Sequence, residues 1–228
     1  MKIIAFIRYF FYLAYNWNPG IAWEIIRQEY RGEKKYGIDT TGTDELKALQ
    51  ELDVDISHAT IYMPATYSLL EQLFNEPHIQ SCTHLLDIGC GKGRILCVAA
   101  KHHFKKVTGV DFSRALCNAA IINLEIIKTT EPELNYEVKT NDAFYFPIAT
   151  DVDCIFLFNP FDEVILSGVL ENIEKSLAKK PRQMTLAYLN PVHKNILLAS
   201  GFKQVFHTVR MQYLEAAVYE KSPGKTGA

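Results

Sequence analysis

The stretch LLDIGCGKGR, Leu85 to Arg94, closes a short apolar run with an acid, Asp87, and three alternate glycines, Gly89, Gly91 and Gly93. Glycines so spaced let a backbone come close to a ligand. A phosphate loop needs a lysine followed by Ser or Thr, so that a hydroxyl meets magnesium. Here Lys92 is followed by Gly93. A dinucleotide loop of the G-x-G-x-x-G/A kind seats a pyrophosphate on a helix N-terminus. Arg94 stands where its last small residue belongs, and Asp87 would repel the pyrophosphate. These letters favour a ligand with positive charge and no phosphate over a dinucleotide, the reading that would make the protein a nicotinamide oxidoreductase.

Two more acidic clusters follow at the ends of apolar segments. Asp111 and Phe112 close KVTGVDF, and Asn141 with Asp142 close YEVKTND. S-adenosylmethionine (SAM) suits them: its ammonium and sulfonium favour an acidic loop, its ribose hydroxyls need an acceptor such as Asp111, and its adenine amino group needs one such as Asp142. Titrating NADH against SAM separates this reading from the dinucleotide one. A tight turn accounts for one of the loop glycines, but not for all three together with the acids.

The elements that must carry these residues alternate. THLLDIG, KVTGVDF, YEVKTND, DCIFLFN and QMTLAYLN read as strands, and YSLLEQLF, Arg94–His103, SRALCNAAIINLEII and Glu163–Leu177 as helices. Ser113 is placed to cap the third of these helices, and Gly201 to stop HKNILLAS. Two closing strands, around Gln204–Val209 and Tyr213–Tyr219, leave no room for a helix between them and must form an antiparallel hairpin. Alternating strands and helices predict a parallel sheet covered on both faces, with ligands beyond the carboxyl ends of its strands.

With LLDIGCGKGR, GVDFS, ND and FLFNPF in that order, the chain resembles the class I SAM-dependent methyltransferases over roughly Tyr62 to Tyr219. YGIDTTG, GCGKGR, FNPF and LNPVH together look like a poorly characterised bacterial group of such enzymes. The resemblance implies a Rossmann-like α/β fold of seven mostly parallel strands, ordered 3-2-1-4-5-7-6 with strand 7 antiparallel. It implies SAM held by Asp87, Gly89, Gly91, Gly93, Asp111, Phe112, Asn141 and Asp142. Tyr67 lies where family members cover the methionine end of the cofactor. FNPF resembles the [DN]-P-P-[FYW] motif of enzymes that methylate amino or amide nitrogens. By that likeness Asn159 orients the acceptor and Phe161 walls it, although a single proline shifts the register. Asn159 has a second reading, as a helix N-cap with Pro160 at N1 and Asp162–Glu163 completing the first turn. The Asn–Phe pairing also resembles the NNF segment of the non-SET histone-lysine methyltransferases, which makes protein lysine an alternative acceptor.

The remaining composition bounds the partners. Hydrophobic residues are 48% and charged residues 22% of the 228, ordinary for a domain with a real core. A net charge of −2 gives no global pull toward nucleic acid, so small molecules or protein are the favoured acceptors. Five cysteines without a CxxC pair argue against a disulfide framework or a zinc site; no metal is expected, and the thiols point to a cytoplasmic location. Residues 1–60 read as a helical extension, 61–220 as the SAM-binding domain and 221–228 as a flexible tail. Within the extension, MKIIAFIRYFFYLAYNW is apolar and aromatic, but Arg8 leaves too short a run to span a bilayer. Residues 1–17 are a helix lying at a membrane surface or one packed on the domain or on a second subunit. If that segment is the chain's purpose, the protein is a non-catalytic SAM-binding module that docks on a membrane or a partner.

Overall fold

The computed structural model describes residues 7, 10, 11, 14, 15, 18–40, 65–158, 162–210 and 214–223. Its strands are β1 (His84–Ile88), β2 (Lys106–Asp111), β3 (Asn135–Thr140), β4 (Cys154–Phe158), β5 (Met184–Leu189), β6 (Lys203–Arg210) and β7 (Leu214–Lys221). The helices are α1 (Pro19–Tyr36), α2 (Tyr67–Phe74), α3 (Pro77–Gln80), α4 (Arg94–His102), α5 (Arg114–Lys128), α6 (Glu163–Lys179) and α7 (Lys194–Ala199).

One sheet joins all seven strands in the order β3-β2-β1-β4-β5-β7-β6. β1 pairs in parallel with β2 and β4, β2 with β3, and β4 with β5. β7 runs antiparallel to both β5 and β6; with β6 ending at Arg210 and β7 beginning at Leu214, no helix fits between these two, and they form the expected hairpin. The reversal of strand order lies between β1 and β4, so a ligand crevice opens beyond their carboxyl ends.

The central strands are buried on both faces, and alternate residues feed two cores. Leu85 and Phe156 point into the layer formed with α2, α4 and α5, where Phe74, Leu96, Phe104 and Leu124 are buried. Leu86, Ile155 and Leu157 point to the opposite layer, against Leu166, Val169 and Ile173 of α6. The edge strands β3 and β6 carry the polar, half-exposed faces.

Helix starts follow local chemistry. Ser113 caps α5, its Oγ accepting from Leu116 N. α6 is capped by Asp162, whose Oδ1 accepts from the N–H groups of Val164 and Ile165 at 3.0 and 3.1 Å. The cap that one reading gave to Asn159 thus belongs to Asp162, and Glu163 is the first helical residue. Gly201, at φ +86°, ends α7 in the left-handed conformation that glycine takes at no steric cost.

Candidate functional site

The three acidic strand ends stand side by side because β3, β2 and β1 are neighbours. Ile88 pairs with Val110, and Asp111 with Thr140, which sets the ends of all three strands at one level of the sheet edge. Cross-links fasten this edge. Gly89 N and Cys90 N donate to Val110 O at 2.8 and 3.0 Å, and Asn141 N donates to Asp111 O at 3.0 Å. Asp111 is buried, and its carboxylate accepts from Gly91 N (Oδ2) and Ser113 N (Oδ1), each at 2.9 Å. It therefore holds the glycine loop against the end of β2.

All three loop glycines adopt positive φ: Gly89 at +82°, Gly91 at +52° and Gly93 at +78°. Backbone conformation alone thus asks for glycine at each position, which corrects the expectation that a turn would explain only one. Space adds a second demand at Gly93, where a Cβ would come within 2.9 Å of Ala120 Cβ on α5. Gly93→Ala should cost about 1–2 kcal/mol from the left-handed backbone, with the contact at Ala120 in addition. A thermal melt should show Tm lower by about 2–8 °C; an unchanged Tm would contradict the crowding.

Asp87 is different in kind. It is fully buried, and neither of its carboxylate oxygens meets a hydrogen-bond partner among the described residues. Burial first, and the charge of Asp111 second, hold its carboxyl well above the usual carboxylate range. A buried acid without partners is costly, and a cationic ligand group would offset that cost. The Cys90 thiol is pushed well up by its hydrogen bond with Cys117 and by burial. It packs neutral beneath the loop, where a Cβ on Gly109 would come 2.8 Å from its sulfur.

The other expected contacts are arranged as follows. Asp142 is exposed and its Oδ1 accepts from Phe144 N at 2.8 Å, a local turn that leaves the side chain at the sheet edge. Asn141 is exposed, and Phe112, which follows Asp111 at the end of β2, is half-buried. Asn159, Pro160 and Phe161 lie outside the described residues.

Tyr67 is 3% exposed, stacked on Tyr36 at 5.5 Å with the Arg94 guanidinium 4.3 Å from its ring centre. Its ring lies so close to α1 that a Cβ on Gly32 would meet it at 2.1 Å. Its hydroxyl is 3.1 Å from Thr40 Oγ1. Thr40 has one hydroxyl proton and gives it to the acceptor-only carboxylate of Glu33 at 2.9 Å, so Tyr67 donates to Thr40. Burial raises the Tyr67 phenol above its ordinary pKa, which keeps that donor proton in place.

Reading the sequence alone missed the centre of this arrangement. Arg94, the first residue of α4, is 2% exposed and binds both carboxylate oxygens of Glu29 on α1, with Nη1 at 2.7 Å from Oε1. It also donates to Ala65 O at 2.7 Å and Thr40 Oγ1 at 2.8 Å. The signal was an arginine opening an otherwise apolar helix, RILCVAA, and two glutamates four apart on α1. Asn123 completes the join: its amide accepts from Asp39 N and donates to Lys92 O, at 2.9 Å each. The N-terminal extension is thus bolted to the glycine loop. Among the described residues no group of three or more His, Cys, Asp or Glu is placed to hold a metal ion.

Comparisons agree with this geometry. Residues 79–221 match the family described as Methyltransferase domain. No match to the chain was found among curated proteins. Among solved structures, the yhhF methyltransferase of Escherichia coli is 18% identical with a TM-score of 0.56, over 71% of this chain and 88% of that one. An O-methyltransferase family protein from Burkholderia thailandensis is 11% identical with a TM-score of 0.54, over 69% and 56%. An RNA methyltransferase from Salinibacter ruber, in complex with S-adenosyl-L-homocysteine, is 16% identical with a TM-score of 0.50, over 73% and 97%. At these identities the structural matches establish the fold.

Proposed function

The chain belongs to the methyltransferase-domain family and is a SAM-dependent methyltransferase, and from that premise we propose that it transfers the methyl to a nitrogen acceptor held beyond the end of β4. SAM supplies a methyl carbon already activated by its sulfonium, so the protein's task is positioning. Asp87 holds the ammonium, Asp111 accepts from the ribose hydroxyls, and Asp142 accepts from the adenine amino group. The glycine loop, tied down by Asp111, gives the cofactor a backbone floor. The observation that carries the cofactor-binding half is Asp87, buried beside Asp111 with neither oxygen partnered.

The acceptor half rests on FNPF, which begins at the last residue of β4. With Asp162 capping α6, the helix start makes no demand on Asn159. Asn159 would accept from the acceptor nitrogen and aim its lone pair, and Phe161 would pack on its planar group. Tyr67 packs on Arg94, the residue that follows the glycine loop, and its part in covering the methionine end of the cofactor rests on the resemblance alone.

The test is transfer of labelled methyl from SAM into a cell lysate separated into small molecules, protein and nucleic acid. Wild type should label one fraction. Asp111→Ala should lose labelling along with SAM binding, since each charge-assisted hydrogen bond is worth about 1.5–3 kcal/mol. Asn159→Ala should lose labelling while binding SAM normally. Equal labelling by Asn159→Ala and wild type would overturn the acceptor assignment, and unchanged SAM affinity in Asp111→Ala the cofactor one.

A further inference from the structure

We propose that the outer face of the N-terminal extension docks on an anionic lipid bilayer. The observation is a sorting of side chains on α1. Its carboxylates turn inward or are paired: Glu29 and Glu33 are buried around Arg94, and Glu24 pairs with Arg27 at 3.2 Å. Its four cations, Arg27, Arg31, Lys34 and Lys35, are all exposed, Arg27 paired with Glu24 and Lys35 with Glu71 of α2 at 2.7 Å. Along the outermost line, Trp23, Arg27, Tyr30 and Lys34 follow at spacings of four, three and four, which puts aromatic and cation alternately on one stripe.

The aromatics stand out into solvent, Trp23 at 65% and Tyr30 at 60% exposure. Beside them the helical residues Phe10 and Ala14 pack against Ala22 and Ile25, which leaves Ile7 and Phe11 more than half exposed. Ile7, Phe11, Trp23 and Tyr30 line one open groove of about 860 Å³. Gly37 also lines that groove, and the exposed Ile126 of α5 lies next to Gly37.

A bilayer fits this surface better than a second protein. Protein interfaces exclude lysine from their apolar centres, because a cation buried there without a partner is expensive. Arg27 has Glu24 as its partner, but Lys34 stands exposed beside Tyr30 on the same stripe, so any protein covering the rings would cover its ammonium too. At a bilayer the two demands are met at different depths. The rings of Trp and Tyr settle at the headgroup level, and the long basic side chains reach outward to phosphate. No described helix is long and apolar enough to cross a membrane, so the contact is a surface one. The chain's net charge of −2 places the attraction in this face rather than in the whole molecule.

The experiment is co-sedimentation of the full chain with phosphatidylcholine vesicles, with and without phosphatidylglycerol, at low and high salt. The wild type should bind the anionic vesicles, bind neutral ones far less, and be released by salt. Arg27→Gln with Lys34→Gln should weaken binding about fivefold for each cation removed. Trp23→Ser with Tyr30→Ser should abolish it, with SAM affinity unchanged as the check on folding. No sedimentation with anionic vesicles would overturn the proposal. So would wild-type self-association, seen by sedimentation velocity without lipid and lost in the same variants, since the face would then belong to a second copy.

Discussion

Asp87→Asn should weaken SAM binding by about 10–100-fold and remove most of its pH dependence. The wild-type carboxyl is held well above the usual carboxylate range by burial and by Asp111. As pH rises through about 3.9, where an unfolded aspartate loses its proton, this one keeps it. The sign follows from linkage: with a raised folded-state pKa, its contribution to stability is complete below the unfolded value and is lost as pH rises through the folded one. The ligand-free protein should therefore lose stability on that rise, and Asp87→Asn should lose less. An ammonium beside Asp87 favours the ionised form, so binding must expel the proton. Wild-type SAM affinity should rise with pH below the raised pKa, and calorimetry in buffers of different ionisation heat should show proton release. The asparagine has no proton to expel, and the loss of a charge-assisted bond of about 1.5–3 kcal/mol sets the fold-change. Equal affinity and equal proton release in the two proteins would remove Asp87 from the ammonium site.

The same residue shows what a sequence can and cannot carry. The placement of Asp87 and Asp111 was legible because each lies at the end of a short apolar strand, and that of Asp142 because it follows the neighbouring edge strand β3; parallel strands bring such ends to one edge whatever the details of packing. The hairpin of β6 and β7 was legible because no helix fits between its members. The caps at Ser113 and Gly201 were legible because capping is local. The cap of α6 was not settled, since Asn159 and Asp162 are both good capping residues within one turn; the geometry of two donors on Asp162 Oδ1 decides it. The left-handed backbone of the loop glycines was not legible. Three ligand-facing glycines and three left-handed glycines leave the same letters, and only the dihedrals separate them. The burial of Glu29 and Glu33 was out of reach, because glutamates on a helix rich in Lys and Arg read as a solvated face. What turns them inward is an arginine 65 residues away in the chain.

That arginine carries the largest stability effect expected here. Arg94→Met should destabilise the protein by about 3–5 kcal/mol, because it leaves Glu29 buried with its main cation gone. Glu29→Met should cost a similar amount by leaving the guanidinium with less to bind. The double variant should recover most of the loss, since replacing a whole buried ion pair by apolar side chains of similar size is often neutral. Glu33 retains the Thr40 amide and hydroxyl in all three proteins, at 2.5 and 2.9 Å, so it does not become an orphan in turn. Urea unfolding of the four proteins gives the coupling energy directly; additive losses, or a cost below about 1 kcal/mol for Arg94→Met, would mean that the pair does not hold α1 to the loop. The helix α4 start is fixed independently, by Gly93 N donating to Cys90 O and Cys97 N to Gly93 O. The double variant should accordingly bind SAM within about threefold of wild type, a difference under about 1 kcal/mol. Arg94→Met alone should bind SAM less well only near its lowered unfolding midpoint. Restored stability with SAM binding still lost would instead give Arg94 a direct part in shaping the loop.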